Sequence, residues 1–267
     1  MNRHNPIGSG TPRSFLSTWT GLRRLLGGFS ELIFPQVCLV CESTSKAPLC
    51  ASCADGFSRI TSPVCEKCGK PCERPVADCR ECRGKHLHFT LARSGGAYTG
   101  SLKSAIHSLK YKNGKRLAAY LSRFVDDEAG RLMEAVDAIA FVPLSKLKEA
   151  ERGYNQSGLL ARHLARRYNK PLYTKLAKVK NIPEQHRLGF AQRGDNVKGA
   201  FRAFGKVPER VLLIDDVYTT GSTASECASA LKQRGAAVVY VLTVARTPLD
   251  VSRGDRRRAV VDSCKCR

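Results

Sequence analysis

Downstream of about residue 88, short apolar runs in this chain are separated by stretches whose apolar residues recur three and four positions apart. That rhythm predicts strands alternating with helices. Leu91 to Tyr98 reads as a strand. Gly100 to Lys112 carries Leu102, Ile106 and Leu109 on one face and Lys103, Lys110 and Lys112 elsewhere, an amphipathic helix with a basic side. Asn113-Gly114 breaks it, and a second helix turns Leu117, Tyr120, Leu121 and Phe124 inward. Ala138 to Val142, ended by Pro143, is a further strand; a basic loop then leads to a helix from about Ser157 to Tyr168. Val211 to Ile214 and Ala237 to Ala245 are the last strands, joined by a helix from Ser222 to Arg234 that Gly235 stops. The order predicts an α/β fold, a Rossmann-like parallel sheet flanked by helices on both faces.

The most informative stretch is Val211-Leu-Leu-Ile-Asp-Asp-Val-Tyr-Thr-Thr-Gly-Ser-Thr223. A buried strand delivers Asp215 and Asp216 to its carboxyl end, the place where ligands bind in open parallel sheets. Thr219, Thr220, Gly221, Ser222 and Thr223 then offer hydroxyls and successive backbone N–H groups at a helix N-terminus, where aligned peptide dipoles favour an anion. Gly221 lets the backbone approach a ligand closely. Two adjacent acids cannot help hold a phosphate; vicinal hydroxyls or a divalent cation are the partners carboxylates prefer. Phosphate beside a diol means a sugar phosphate. A Ser/Thr cluster by itself usually only caps a helix, but here strand, acid pair and turn occur in register.

After the strand ending at Val142, the segment Leu144 to Ser157 holds Lys146, Lys148 and Arg152 with Gly153, and Asn155 and Gln156 can donate amides. Three cations and a glycine in that position suit a pyrophosphate. Ile182 to Asn196, with Gln185, His186, Arg187 and Arg193, reads as a flexible loop that closes over an active site and excludes water.

Upstream the pattern changes. Nine of the 12 cysteines fall between Cys38 and Cys82, and eight of them form four Cys-x-x-Cys pairs. Cys38/Cys41 are followed by Cys50/Cys53, and Cys65/Cys68 by Cys79/Cys82. Two such turns make the closed four-thiolate site of a structural zinc ribbon. Pairing by neighbours closes the shortest loops, with interleaved pairing as the alternative. The segment is rich in Pro, Gly and charge, so Zn2+ supplies most of its folding energy. Cys72 is the odd thiol, Cys227 reads as buried packing, and Cys264 and Cys266 lie in a basic tail.

The 267 residues suffice for a medium domain and a small module. A net charge of +22 makes polyanions natural partners. No apolar run approaches the ~20 residues a membrane span needs, and the first thirty residues do not form a secretion signal, so a cytoplasmic protein is expected. The parts divide as a basic N-terminal tail (1–34), a double zinc ribbon (35–88), a sheet domain (89–247) and a basic C-terminal tail (248–267).

The acid pair with its Thr-Gly-x-Thr turn resembles the ribose-phosphate motif of type I phosphoribosyltransferases. That resemblance implies that Asp215 and Asp216, the candidate catalytic residues, bind the ribose hydroxyls of phosphoribosyl pyrophosphate with Mg2+ nearby. It gives the 5′-phosphate to Thr219 through Thr223, and the pyrophosphate to Ser145, Lys146, Arg152 and Gly153. Thr219 stands where purine-salvage enzymes carry an Asp that serves the base, which speaks against a purine handled in that way. Together with Leu109-Lys-Tyr-Lys-Asn-Gly114, Arg152-Gly-Tyr-Asn-Gln156 and Gln185…Leu188…Arg193…Asn196…Gly199-Ala-Phe201, the chain resembles the ComF family, in which a cysteine zinc ribbon precedes a phosphoribosyltransferase-like domain. A basic position ahead of Gln185, usually Arg in that family, is here Lys178 or Lys180, which keeps the charge and loses a bidentate grip. The resemblance implies phosphoribosyl transfer linked to DNA uptake, with single-stranded DNA and a DNA-uptake helicase as partners; a non-catalytic adaptor that keeps the pocket for ligand sensing is the alternative.

Overall fold

The computed structural model describes residues 36–180 and 198–248. Its centre is a five-stranded sheet in the order β1 (Leu91–Ala97), β7 (Val238–Arg246), β6 (Arg210–Tyr218), β2 (Ala138–Phe141), β3 (Leu172–Tyr173). Every pairing in it is parallel. The expected Rossmann-like sheet is therefore present, with two edge features the periodicity does not announce. β3 is only two residues long, and a separate antiparallel pair, β4 (Leu176–Lys178) with β5 (Phe201–Ala203), brackets the undescribed segment.

Side chains alternate across the central strand as a period of two requires. Leu212 and Ile214 enter a core with α2 (Gly100–Tyr111), α3 (Leu117–Phe124), α4 (Asp126–Met133) and α6 (Gln156–Arg167); Val211 and Leu213 enter a second core with α7 (Ser222–Lys232). Leu212, Leu213 and Ile214 are all essentially inaccessible, each worth about 1.5–3 kcal/mol of burial. α4 has no counterpart in the sequence reading: one residue separates it from α3, so the two helices look like one periodic stretch.

The cysteine segment forms no layer apart. The short helix α1 (Ala51–Asp55) and Cys38, Leu49, Cys53 and Phe57 share the first core, whereas Cys65, Cys68, Cys79 and Cys82 share the second. Between the two halves the chain runs antiparallel along the outer strand β1: Arg59 bridges Gly96, the Ile60 N–H donates to the Gly95 carbonyl at 3.0 Å, and the Ala97 N–H to the Ser58 carbonyl at 2.8 Å. Among the described residues no helix is long and apolar enough to cross a membrane.

Candidate sugar-phosphate site and metal centres

β6 runs to Tyr218, so Asp215 and Asp216 lie inside the strand and not, as the apolar run suggests, at its end. The ladder explains this. β2 pairs with β6 only as far as Phe141 opposite Ile214, while β7 continues alongside to Arg246 opposite Tyr218. The acids thus occupy the part of β6 that has lost its neighbour on one side. α6, which lies between β2 and β3, packs on one face of the sheet and α7, which follows β6, on the other, so the gap is the switch point at which such sheets bind ligands.

Three side chains that the sequence reading did not connect with the acids hold them in place. Lys110, at the end of α2, sets its ammonium 3.0 Å from Oδ2 of Asp216, and Gln156 donates to the same oxygen at 2.9 Å. Ser157 donates to Oδ1 of Asp215 at 2.9 Å, and so does the Asp216 backbone N–H. Asp216 is buried and Asp215 half-buried. Oδ1 of Asp216 and Oδ2 of Asp215 have no hydrogen-bond partner among the described residues. Burial, and then the charge of Asp216, push the Asp215 carboxyl up to about 7. For Lys110 burial presses the ammonium downward, but Asp216 and Asp215 more than offset it, so its pKa is raised and it stays charged.

Gln156 and Ser157 reach the acids because they occupy the first turn of α6. Asn155 caps that helix, accepting from the Gly158 N–H at 3.0 Å, and its own amide donates to the Val142 carbonyl at 3.1 Å, which ties the helix start to the end of β2. This fixes both donors opposite β6.

The turn after β6 has the shape its composition predicts. Gly221 lies in the left-handed region at φ 81° and is the N-cap of α7. A Cβ there would fall 2.3 Å from the Tyr218 hydroxyl, so both backbone and space exclude other residues. The Thr220 and Ser222 hydroxyls are 2.8 Å apart, and Thr219, Thr220, Ser222 and Thr223 are all half-buried.

The basic segment differs from the loop expected of it. Residues Lys146–Arg152 form a short helix, α5. Ser145 caps it, accepting from the Lys148 N–H at 3.4 Å, and Gly153 ends it in the left-handed conformation at φ 71°. The cap, the helix-forming Lys-Leu-Lys-Glu-Ala-Glu-Arg run and the glycine together favour a helix over a loop. Its cations therefore do not converge as three: Lys148 and Arg152, one turn apart, line a cleft of about 450 Å3 with Lys110, Tyr111, Asn113, Glu151 and Tyr154, whereas Lys146 is exposed and does not line it. Arg152 donates to Gln156 Oε1 at 3.0 Å and to the Tyr111 hydroxyl at 3.2 Å, with its guanidinium 4.9 Å from the Tyr111 ring centre. A continuous polar path thus runs from the cleft through Gln156 to Asp216. Gln185 and Arg193 lie outside the described residues.

The cysteines fall into two groups of four, Cys38, Cys41, Cys50, Cys53 and Cys65, Cys68, Cys79, Cys82, so neighbouring turns pair and the interleaved arrangement does not occur. Cys41 and Cys50 sulfurs are 3.7 Å apart, Cys68 and Cys79 3.6 Å, Cys79 and Cys82 3.8 Å. A tetrahedron with sulfur about 2.3 Å from a central zinc has an edge of about 3.8 Å, so both sites fit structural Zn2+. The same backbone bond recurs in each: the Cys50 N–H donates to Cys38 Sγ at 3.4 Å and the Cys79 N–H to Cys65 Sγ at 3.3 Å. Cys72 belongs to neither group, and Cys227 is fully buried in α7.

Known proteins resemble this chain over much of its length. Residues 29–83 match the family described as a double zinc ribbon domain. The DNA utilization protein YhgH of Salmonella typhimurium is 32% identical over 228 residues, which cover 81% of this chain and 99% of that protein. Competence protein F of Haemophilus influenzae is 29% identical over 222 residues, 78% of this chain and 96% of its own. Among solved structures, a purine phosphoribosyltransferase from Pyrococcus horikoshii is 14% identical, covering 51% of this chain and 93% of its own with a TM-score of 0.31. By its 32% identity across 99% of the Salmonella protein, the chain belongs to the ComF family, with a double zinc ribbon preceding a parallel sheet flanked by helices.

Proposed function

We propose that this protein binds phosphoribosyl pyrophosphate with Mg2+ at the open end of β6 and transfers the phosphoribosyl group to a nitrogen nucleophile. The observation that carries the reading is the acid pair. Each carboxylate is anchored through one oxygen and leaves the other without a protein partner among the described residues, beside a hydroxyl-lined turn at the start of a helix. Ribose hydroxyls are the donors that two such oxygens accept. The 5′-phosphate takes the backbone N–H groups and hydroxyls of Thr219 to Thr223. Pyrophosphate faces the cations of the α5 cleft, Lys148 and Arg152, with Ser145, Lys146 and Gly153 on the same segment.

Two carboxylates against the single ammonium of Lys110 leave a net negative charge, a donor set that fits a divalent cation. Mg2+, when bound, neutralises charge on the departing pyrophosphate. The chain's own residues then act by position and field. Asp215 and Asp216 hold the ribose, Gln156 and Ser157 keep the acids from rotating, and the cleft cations stabilise the leaving charge.

The names of the relatives, DNA utilization protein and Competence protein F, together with the charge of +22, support a second element of the proposal: the protein acts in DNA uptake and contacts single-stranded DNA and an uptake helicase. Calorimetry with phosphoribosyl pyrophosphate and Mg2+ tests the first element. Asp215→Asn is expected to weaken binding roughly tenfold or more, through loss of charge-assisted hydrogen bonds; equal affinity would refute it. Release of pyrophosphate with nitrogen acceptors, with and without DNA, separates a transferase from an adaptor that only senses the ligand. A DNA affinity independent of salt would remove the nucleic-acid element.

A further inference from the structure

Arg246 is the last residue of β7 and is 3% exposed, yet it is neither in the acid site nor in a cysteine turn. A buried guanidinium must be paired on every side. Nη1 donates to the Cys68 carbonyl at 2.7 Å and lies 3.6 Å from Cys68 Sγ, while Nη2 is 3.5 Å from Glu81 Oε2. Glu81 is in turn held by Lys70 at 2.5 Å. These groups all belong to the second metal site: Cys68 is a ligand, and Glu81 lies between the ligands Cys79 and Cys82. Four thiolates around a divalent zinc carry two negative charges, so a fixed cation beside them is favoured.

The other side of Arg246 faces the site. Its guanidinium stacks 5.0 Å from the ring centre of Tyr218, its neighbour across the β6–β7 ladder. The Tyr218 hydroxyl packs directly beneath Gly221, where it occupies the space of a side chain. The Tyr218 carbonyl accepts from the Thr247 N–H at 2.9 Å, which fixes the strand end that feeds the turn. Three consecutive contacts therefore lead from a metal ligand to the middle of the phosphate turn: Cys68 to Arg246, Arg246 to Tyr218, Tyr218 to Gly221.

We infer that Arg246 is a positioning residue that couples the second four-cysteine site to the phosphate turn, so that zinc at Cys65, Cys68, Cys79 and Cys82 sets how well Thr219 to Thr223 hold a phosphate group. This rests on the proposed placement of the 5′-phosphate. The coupling works because the guanidinium is planar and forked. One edge satisfies the metal site while its flat face supports the ring. A lysine keeps the charge and cannot do both.

The test uses the full-length, zinc-loaded protein and the variants Arg246→Lys and Arg246→Met. Both variants are expected to retain two zinc ions per chain while binding phosphoribosyl pyrophosphate roughly 5–150-fold more weakly, the usual range of coupling between two sites. Coupling is reciprocal. Saturating phosphoribosyl pyrophosphate is therefore expected to raise severalfold the chelator concentration that removes half the zinc at equilibrium in the wild type and to have no such effect in the variants, which a purely structural role of Arg246 would not produce. Unchanged affinity in zinc-replete variants, or zinc loss indifferent to the ligand in the wild type, overturns the coupling and leaves the sugar-phosphate site standing. A wild type that does not bind the ligand defeats the site instead. The coupling is then read from the backbone amide resonances of Thr219 to Thr223, which should move in Arg246→Lys; changes confined to the cysteine turns overturn it. Should the Arg246 variants fail to fold, Tyr218→Leu, which leaves the bonds to Cys68 intact, is expected to lose the same affinity with full zinc content.

Discussion

In the first four-cysteine site Cys41 is exposed and Cys50 half-buried, whereas all four cysteines of the second are buried. Both use the same turn, in which the residue after the second cysteine has positive φ, but that residue is Glu42 in the first and Gly69 in the second. Glu42 reaches outward to the exposed Lys112, the residue that follows α2, at 2.8 Å. At Gly69 a Cβ would meet the Ala92 carbonyl oxygen at 2.7 Å, because the turn is pressed against β1. The first site sends Cys38 and Cys53 into the core beside α2 but keeps Cys41 exposed, with Ser108 donating to the Leu39 carbonyl at 2.7 Å; the second is enclosed on all four cysteines in the core beneath β1, β6 and β7. Identical ligand chemistry thus serves as a brace in one place and as a structural member in the other.

The largest expected difference follows from removing a ligand. Cys79→Ser should deprive the second core of a structural zinc, whose binding is worth about 10–16 kcal/mol in isolated fingers, and leave the sheet unable to fold. Cys41→Ser should leave the far-ultraviolet circular dichroism of the sheet intact and lower the melting temperature modestly. Equal losses in the two variants would break the contrast.

Next is the helix that the first site braces. Lys110→Met strands the buried Asp216 carboxylate, and equilibrium denaturation should record a loss of about 3–5 kcal/mol. Asp216→Asn in the same background should recover most of it. A smaller effect separates the turns themselves. Gly69→Ala combines left-handed strain with a backbone clash, about 2–4 kcal/mol, while Glu42→Gly should be close to neutral by the same measurement.

The smallest effect is one of pH. Asp215 ionises near 3.8 in the unfolded chain and near 7 in the folded one. The native state therefore keeps a proton that the unfolded state releases. The resulting stability is complete below about pH 4 and lost as pH rises through about 7; the full shift corresponds to about 4 kcal/mol, which solvent screening of the half-buried carboxyl reduces to roughly 1–3 kcal/mol. Asp215→Asn should flatten that slope in urea titrations.

What the sequence disclosed and what it withheld have a common physical cause. The long strands, the cysteine turns and the turn after the acid pair are local patterns, written in consecutive residues; they occur close to where the pattern puts them, with β6 running on through Asp215 and Asp216 to Tyr218. Lys110 looked like one more cation on a wet helix face; only packing of α2 across the sheet brings it to Asp216, more than a hundred residues away. Gln156 was legible as an amide donor, but its direction, toward Asp216 and Arg152 and not solvent, depends on where Asn155 pins the start of α6. Arg246 gave no local signal at all, since its partners come from three separate segments. The helix in the basic segment is the opposite case: Ser145, the run to Arg152 and Gly153 spell it out locally, and the same cations also fit a ligand-binding loop.

The strap from Ser58 to Ile60 hydrogen-bonds along β1, which would otherwise be a bare margin of the sheet. An unpaired parallel margin invites another chain to add itself as a further strand. A fragment trimmed to begin at β1 would therefore lose more than its zinc. It would acquire an adhesive rim, and self-association would accompany any attempt to study the sheet without the cysteine segment.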